Sequence, residues 1–142
     1  MATTPSTATR TVVQRYVVAV GERDEQTIRS LFDESATWQL FGDLPFSGTW
    51  HGRDAVIDEF LAGALSLYEP GSIGLEITGL VVDGEQAVVE WTSRARTRQG
   101  EPYENFCIGV FTVRDGRIQT VREYMDTLYA QRKLFGDAPA AT

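Results

Sequence analysis

With 142 residues the chain has room for one hydrophobic core. Twenty acidic side chains against thirteen basic ones leave a formal charge of −7, which argues against nucleic acid or an anionic membrane as the main partner. One cysteine, Cys107, and one histidine, His51, exclude an internal disulfide and a Cys/His metal cluster but leave a carboxylate-based site open; the expectation is no metal and no cofactor.

The first residues have no apolar stretch of the secretory kind and no run reaches transmembrane length, so a cytoplasmic protein is expected. Residues 1–8 are small and polar and are expected to be a disordered tail, followed by one domain over residues 9–135 and a loose second tail over 136–142. Val12, Val13, Tyr16, Val17 and Val20 recur at helical spacing, and Gly21 ends or loosens that helix. Asp24 is suited to cap a short second helix carrying Ile28, Leu31 and Phe32 on one side. A strand over residues 36–41 leads into Gly42-Asp43-Leu44-Pro45-Phe46-Ser47-Gly48, which is either a lid over a pocket or a connection packed on the core. Residues 52–68 form a third helix with Val56, Ile57, Phe60 and Leu61 on its apolar face, stopped by Pro70 and Gly71.

Strands are expected over residues 73–82, 86–98 and 103–114, joined by hairpin turns, with a fourth after Arg117. Asp115-Gly116 supplies the positive φ that the last hairpin needs. On that hairpin Asn105, Cys107, Gly109, Phe111 and Val113 alternate with Phe106, Ile108, Val110 and Thr112. The return strand places Glu123 on one face with Val121 and Met125. A carboxylate on an apolar strand face either reaches water or sits in a pocket where its pKa rises. Residues 127–135 close the chain as a helical turn.

Helices gathered at one end with a strand meander after them indicate an α+β fold. The expectation is a cone-shaped α+β barrel: three N-terminal helices packed on a curved, mostly antiparallel sheet, with a ligand cavity beneath the helices.

Four segments carry a resemblance: TVVQRYVVAV, LFDESATW, GTWHGRDAVIDEF and GVFTVRDGRIQTVREYMD. Together they resemble the nuclear transport factor 2-like superfamily, in its ketosteroid isomerase, limonene epoxide hydrolase and SnoaL-like polyketide cyclase group. The resemblance implies the cone-shaped fold, a hydrophobic pocket and a homodimer formed through the outer sheet face, where Val89, Trp91 and Phe106 would serve. It places Tyr16 where the isomerases have an oxyanion-hole tyrosine, but Leu40 and Gly109 where they have two acids. Against the epoxide hydrolases, Trp38 and Leu40 stand for a Tyr and an Asn, and Glu90 and Thr92 for an Arg and an Asp. Glu123 keeps the last carboxylate of that set, and also falls at the acid/base position of the SnoaL-like cyclases.

The expected catalytic residues are therefore Glu123, Arg94, Tyr16 and Glu90. Glu90, Thr92 and Arg94 share one strand face, which the resemblance turns inward; rotated the other way, those charges meet water and Trp91 lies inside. The expected substrate-binding residues are Trp38, Leu40, Thr92, Tyr103, Asn105, Cys107, Val121 and Met125. For Glu123 the plain alternative is an ion pair with Arg94 or Arg122. The leading functional reading is a cofactor-independent SnoaL-like enzyme that cyclises or isomerises a hydrophobic, oxygenated, polyketide-like molecule by proton transfer. The others are a non-catalytic ligand-binding or assembly module and an epoxide hydrolase with an altered catalytic set.

Overall fold

The computed structural model describes residues 4–136. The expected tails fall partly on residues 1–3 and 137–142, which lie outside the described residues. Helix α1 (Pro5–Glu22) starts before the expected residue 9. Thr4 is its N-cap, its Oγ1 accepting a hydrogen bond from the Thr7 N–H at 3.1 Å, and Pro5 fills the first turn, where a missing N–H costs nothing. The helix runs past Gly21 and ends at Arg23, whose φ of 56° turns the chain into α2 (Glu25–Leu31), capped by Asp24 as expected.

β1 (Phe32–Leu40) pairs with β2 (Gly48–His51). The sequence reading has no counterpart of β2, a four-residue edge strand whose own pattern is too short to read. A π-helical segment (Ala55–Leu61) continues into α3 (Ala62–Leu65). β3 (Gly74–Asp83), β4 (Gln86–Arg96), β5 (Pro102–Arg114) and β6 (Arg117–Met125) form an antiparallel meander, followed by α4 (Thr127–Leu134). Asp115 and Gly116 both have positive φ, 54° and 74°, as a two-residue hairpin turn requires.

The sheet order is β2-β1-β6-β5-β4-β3, with only β1 and β6 parallel. This corrects the cone-shaped barrel. β2 and β3 stand at opposite, unpaired edges, so the sheet is an open layer. Closure would require those edges to meet with matched tilt and stagger. Instead the helices cover the inner face: α1 packs on β3, β4 and β5, α2 on β1 and β6, and the π-helical segment on β1 and β2. Alternation along a strand looks the same in a closed barrel and in an open sheet with one covered face, which is why the sequence could not separate them.

Phe32, Phe111, Leu31, Ile118, Val13 and Val56 are among the most completely buried side chains of the core between these layers. Ile118 joins them through a bulge: Thr112 pairs with Thr120 but Val113 with Ile118, so the extra residue Gln119 brings Ile118 onto the same face as Val121 and Glu123.

Candidate functional site

β5 and β6 lie in the middle of the sheet, and their inner faces form the floor of a cavity of about 450 Å³ under the helices. Its walls are mainly apolar and aromatic, with α1 supplying Tyr16, Val17 and Val20, β1 supplying Trp38 and Leu40, and the π-helical segment supplying Ile57 and Phe60. The Gly42–Gly48 loop contributes Leu44 and Phe46, and α4 closes in with Leu134. Phe46 packs over Gly63, where a Cβ would lie 2.8 Å from its ring. That close approach needs glycine at position 63.

Glu123 projects from β6 into this cavity and is 7 % exposed. Its Oε1 accepts a hydrogen bond from the Trp38 indole Nε1 at 3.0 Å, and no cation pairs with it among the described residues. Burial raises its pKa from the ordinary 4.5 to about 7, against the smaller lowering effect of the Trp38 bond. Parallel pairing of β1 with β6 sets this geometry, because it brings Trp38 and Leu40 alongside Val121 and Glu123.

Tyr16 reaches the same cavity from α1, its ring against Phe32, Trp38 and Phe111 with centroids 5.6, 6.1 and 5.8 Å away. Its hydroxyl makes no hydrogen bond among the described residues. Burial, and then the nearby Glu123 carboxylate, raise its pKa, so it holds its proton at neutral pH and remains a donor. Cys107 lines the floor beside Ser93, with Sγ 3.8 Å from Oγ. Burial pushes its thiol up to about 12, which leaves it a small apolar wall.

Of the expected substrate-binding residues, Trp38, Leu40, Tyr103, Cys107 and Met125 line the cavity. Asn105 and Val121 are buried on the inner face but lie behind the lining. β4 is turned the other way from the expectation. Val89 and Trp91 point inward, whereas Glu90 and Arg94 are exposed on the outer face and Thr92 is buried on that same side. Arg94 pairs there with Glu76 at 2.9 Å and Glu104 at 2.8 Å, and Glu90 folds over Gly79. Glu90 and Arg94 therefore leave the candidate catalytic set, and Thr92 the binding set. A water held between Glu123 and Glu90, as the altered epoxide hydrolase reading needs, has no place in this geometry. The expected outward Val89 and Trp91 are corrected as well, while Phe106 is outward and 66 % exposed.

Trp91 accounts for Gly109. A Cβ at Gly109 would lie 2.8 Å from the Phe111 ring and 2.9 Å from the Trp91 ring. The place of the second isomerase acid is thus filled by indole. Phe60, Tyr68, Ser93 and Phe46 also line the cavity, none of them among the expected site residues, and Trp91 lines it as the rotated alternative for its strand requires. For Trp91 and Ser93 the signal was present, because Ala87, Val89 and Trp91 form the more apolar alternate set of their strand. Among the described residues no group of three or more His, Cys, Asp or Glu side chains is placed to hold a metal ion. No helix among them is long and apolar enough to cross a membrane.

The fold has many solved counterparts. A putative SnoaL-like polyketide cyclase from Jannaschia sp. CCS1 is 16% identical, with a TM-score of 0.81 over 98% of this chain and 99% of that one. TerC, co-crystallised with polyporic acid, is 20% identical, with a TM-score of 0.80 over 90% and 98%. An LEH-like epoxide hydrolase from M. tuberculosis is 21% identical, with a TM-score of 0.71 over 92% and 91%. At these identities the likeness is one of fold. No curated protein matches the chain significantly. The SnoaL-like domain profile matches residues 13–121, most of the described chain, and the protein belongs to the SnoaL-like family of the nuclear transport factor 2-like superfamily.

Proposed function

We propose that the protein is a cofactor-independent proton-transfer enzyme that isomerises or cyclises a hydrophobic, oxygenated molecule of polyketide-like character. One observation carries this reading: Glu123 is buried in an apolar cavity without a counter-cation, and its pKa lies near neutrality. Such a carboxyl is present in both protonation states at pH 7, and can take a proton and return it.

In the step this geometry supports, the Glu123 carboxylate removes a proton from the carbon next to a substrate carbonyl. The C–H electron pair moves into the new C=C bond, and the carbonyl oxygen takes the negative charge. Tyr16, still protonated, donates a hydrogen bond to that oxygen, and the Glu123 carboxylic acid returns the proton to carbon. Trp38 holds the carboxylate in place through its Nε1 bond. The epoxide hydrolase reading is not carried forward, because its second acid points away.

The outer sheet face suits a second copy of the chain. Phe106, Val88, Ile108 and Tyr124 are exposed there, and Phe41 stacks on Tyr124 with centroids 4.5 Å apart. Light scattering on wild type and Phe106→Glu tests this: a dimer that becomes monomeric supports it, and a monomeric wild type refutes it.

The test of the enzymatic reading uses enolisable polycyclic ketones and esters in heavy water. Deuterium uptake is followed by mass spectrometry and binding by thermal shift, with Glu123→Gln alongside. Uptake that disappears in Glu123→Gln is the expected result. Binding without uptake in either protein would overturn the enzyme and leave a ligand-binding module.

A further inference from the structure

Glu123 is a buried acid set among aromatic faces, and half of its carboxyl group is unused. Oε1 accepts the Trp38 Nε1 hydrogen bond, whereas Oε2 has neither a hydrogen bond nor a cation among the described residues. An ionised carboxylate can accept several hydrogen bonds, and one left unpaired away from water is costly. Around the Trp38 ring stand Tyr16, Phe60 and Phe111, with centroids 6.1, 5.3 and 6.2 Å away. Glu123 lies opposite Gly109, and the Phe111 and Trp91 rings cover that glycine. All five rings line the cavity with Glu123. Aromatic faces carry negative potential and attract an organic cation, most strongly where water is excluded.

No other charge on the wall neutralises Glu123. The titratable side chains that feel its charge are Tyr16 from α1, Cys107 from β5 and Tyr68 from the turn after α3. Burial raises the pKa of all three, and of Tyr103 on β5, so each is protonated and uncharged at pH 7. The charged residues elsewhere in the lining, Arg23, Glu25 and Asp58, are exposed, and Arg29 pairs with both of those acids.

We propose that the cavity takes a second class of ligand, a lipophilic amine, whose ammonium N–H donates to Glu123 Oε2 from within this group of aromatic faces. The amine supplies the counter-cation that the chain does not, and its apolar body fills the rest of the cavity. A volume of about 450 Å³ suits one small organic molecule. A metal ion is the poorer fit, because it would need further ligands and no group of three or more His, Cys, Asp or Glu side chains forms among the described residues. Amine binding needs the cavity and Glu123 but no turnover, so it is separable from the proton-transfer reading. An amine held there also occupies the carboxylate that proton abstraction uses, and would therefore compete with a ketone substrate.

The experiment compares N,N-dimethyl-2-naphthylmethylamine with 2-isobutylnaphthalene, which has the same shape but a C–H in place of the N–H⁺. Equilibrium dialysis measures both against wild type and Glu123→Gln at pH 8 and pH 5.5, and the amine is protonated at both. At pH 8 wild type is expected to bind the amine about tenfold more tightly than the hydrocarbon. At pH 5.5 Glu123 carries a proton, so affinity for the amine should fall about thirtyfold while that for the hydrocarbon stays unchanged. Glu123→Gln is expected to lose both the preference and its pH dependence. Equal affinities in wild type at pH 8, an amine affinity that does not fall at pH 5.5, or a preference that survives in Glu123→Gln would overturn the proposal. Binding of neither compound to wild type would overturn it together with the cavity as a ligand site. Deuterium uptake from ketones tests the proton-transfer reading separately, and the two wild-type comparisons decide even if Glu123→Gln fails to fold.

Discussion

Replacing Glu123 by Gln tests the physical basis of the site without knowledge of the substrate. The carboxyl is buried, and its pKa rises from 4.5 in the unfolded chain to about 7 in the folded one. Between those values the folded state holds a proton that the unfolded state releases. Its stabilising contribution is therefore complete below pH 4.5 and is lost as pH rises through 7. Two and a half pH units correspond to about 3 kcal/mol lost by the wild type on the alkaline side. Gln does not titrate, and its amide oxygen can still accept the Trp38 Nε1 hydrogen bond. The difference in Tm between Glu123→Gln and wild type is expected to grow across pH 4.5 to 7 and level off above, with the variant the more stable by roughly 10 °C at pH 8 for a chain of this size. Scanning calorimetry of both proteins from pH 4.5 to 8.5 measures it. Parallel Tm curves would show that Glu123 titrates normally, and would remove the ground for its role as acid and base.

Trp38→Phe removes the hydrogen bond that lowers the Glu123 pKa, so the titration of that carboxyl should move to higher pH, followed by ¹³C NMR of labelled Glu; a downward shift would contradict the geometry. Gly109→Ala forces a Cβ against the Phe111 and Trp91 rings and should cost about 1–3 kcal/mol in urea denaturation. An unchanged midpoint would mean that the two rings yield freely. Arg94→Ala breaks two exposed ion pairs on the outer face and should leave ligand affinity and Glu123-dependent deuterium exchange unchanged. A tenfold loss of exchange would return Arg94 to the site.

Local chemistry determined much of this protein from the sequence alone. Asp24 as a cap, Asp115-Gly116 as a hairpin turn and the period-2 pattern of the last two strands each depend on neighbours within a few residues, and each is found in the structure. The shared face of Val121, Glu123 and Met125 follows from the same pattern. The Thr4-Pro5 start of α1 is equally local, but the small polar residues around it have the composition of a tail. What only the tertiary structure decided are relations between distant segments. β2 exists because Trp50 and its neighbours pair with β1, and Ile118 turns inward because the bulge at Gln119 shifts its register with β5. Trp91 rather than Glu90 faces the cavity because the ring fills the space above Gly109, while the charges of that strand find partners and water outside. The sheet stays open because its edge strands β2 and β3 do not pair, and helices cover its inner face. The near-neutral Glu123 belongs to the same class: it arises from burial and a partner supplied by other elements, which spacing along the chain does not encode.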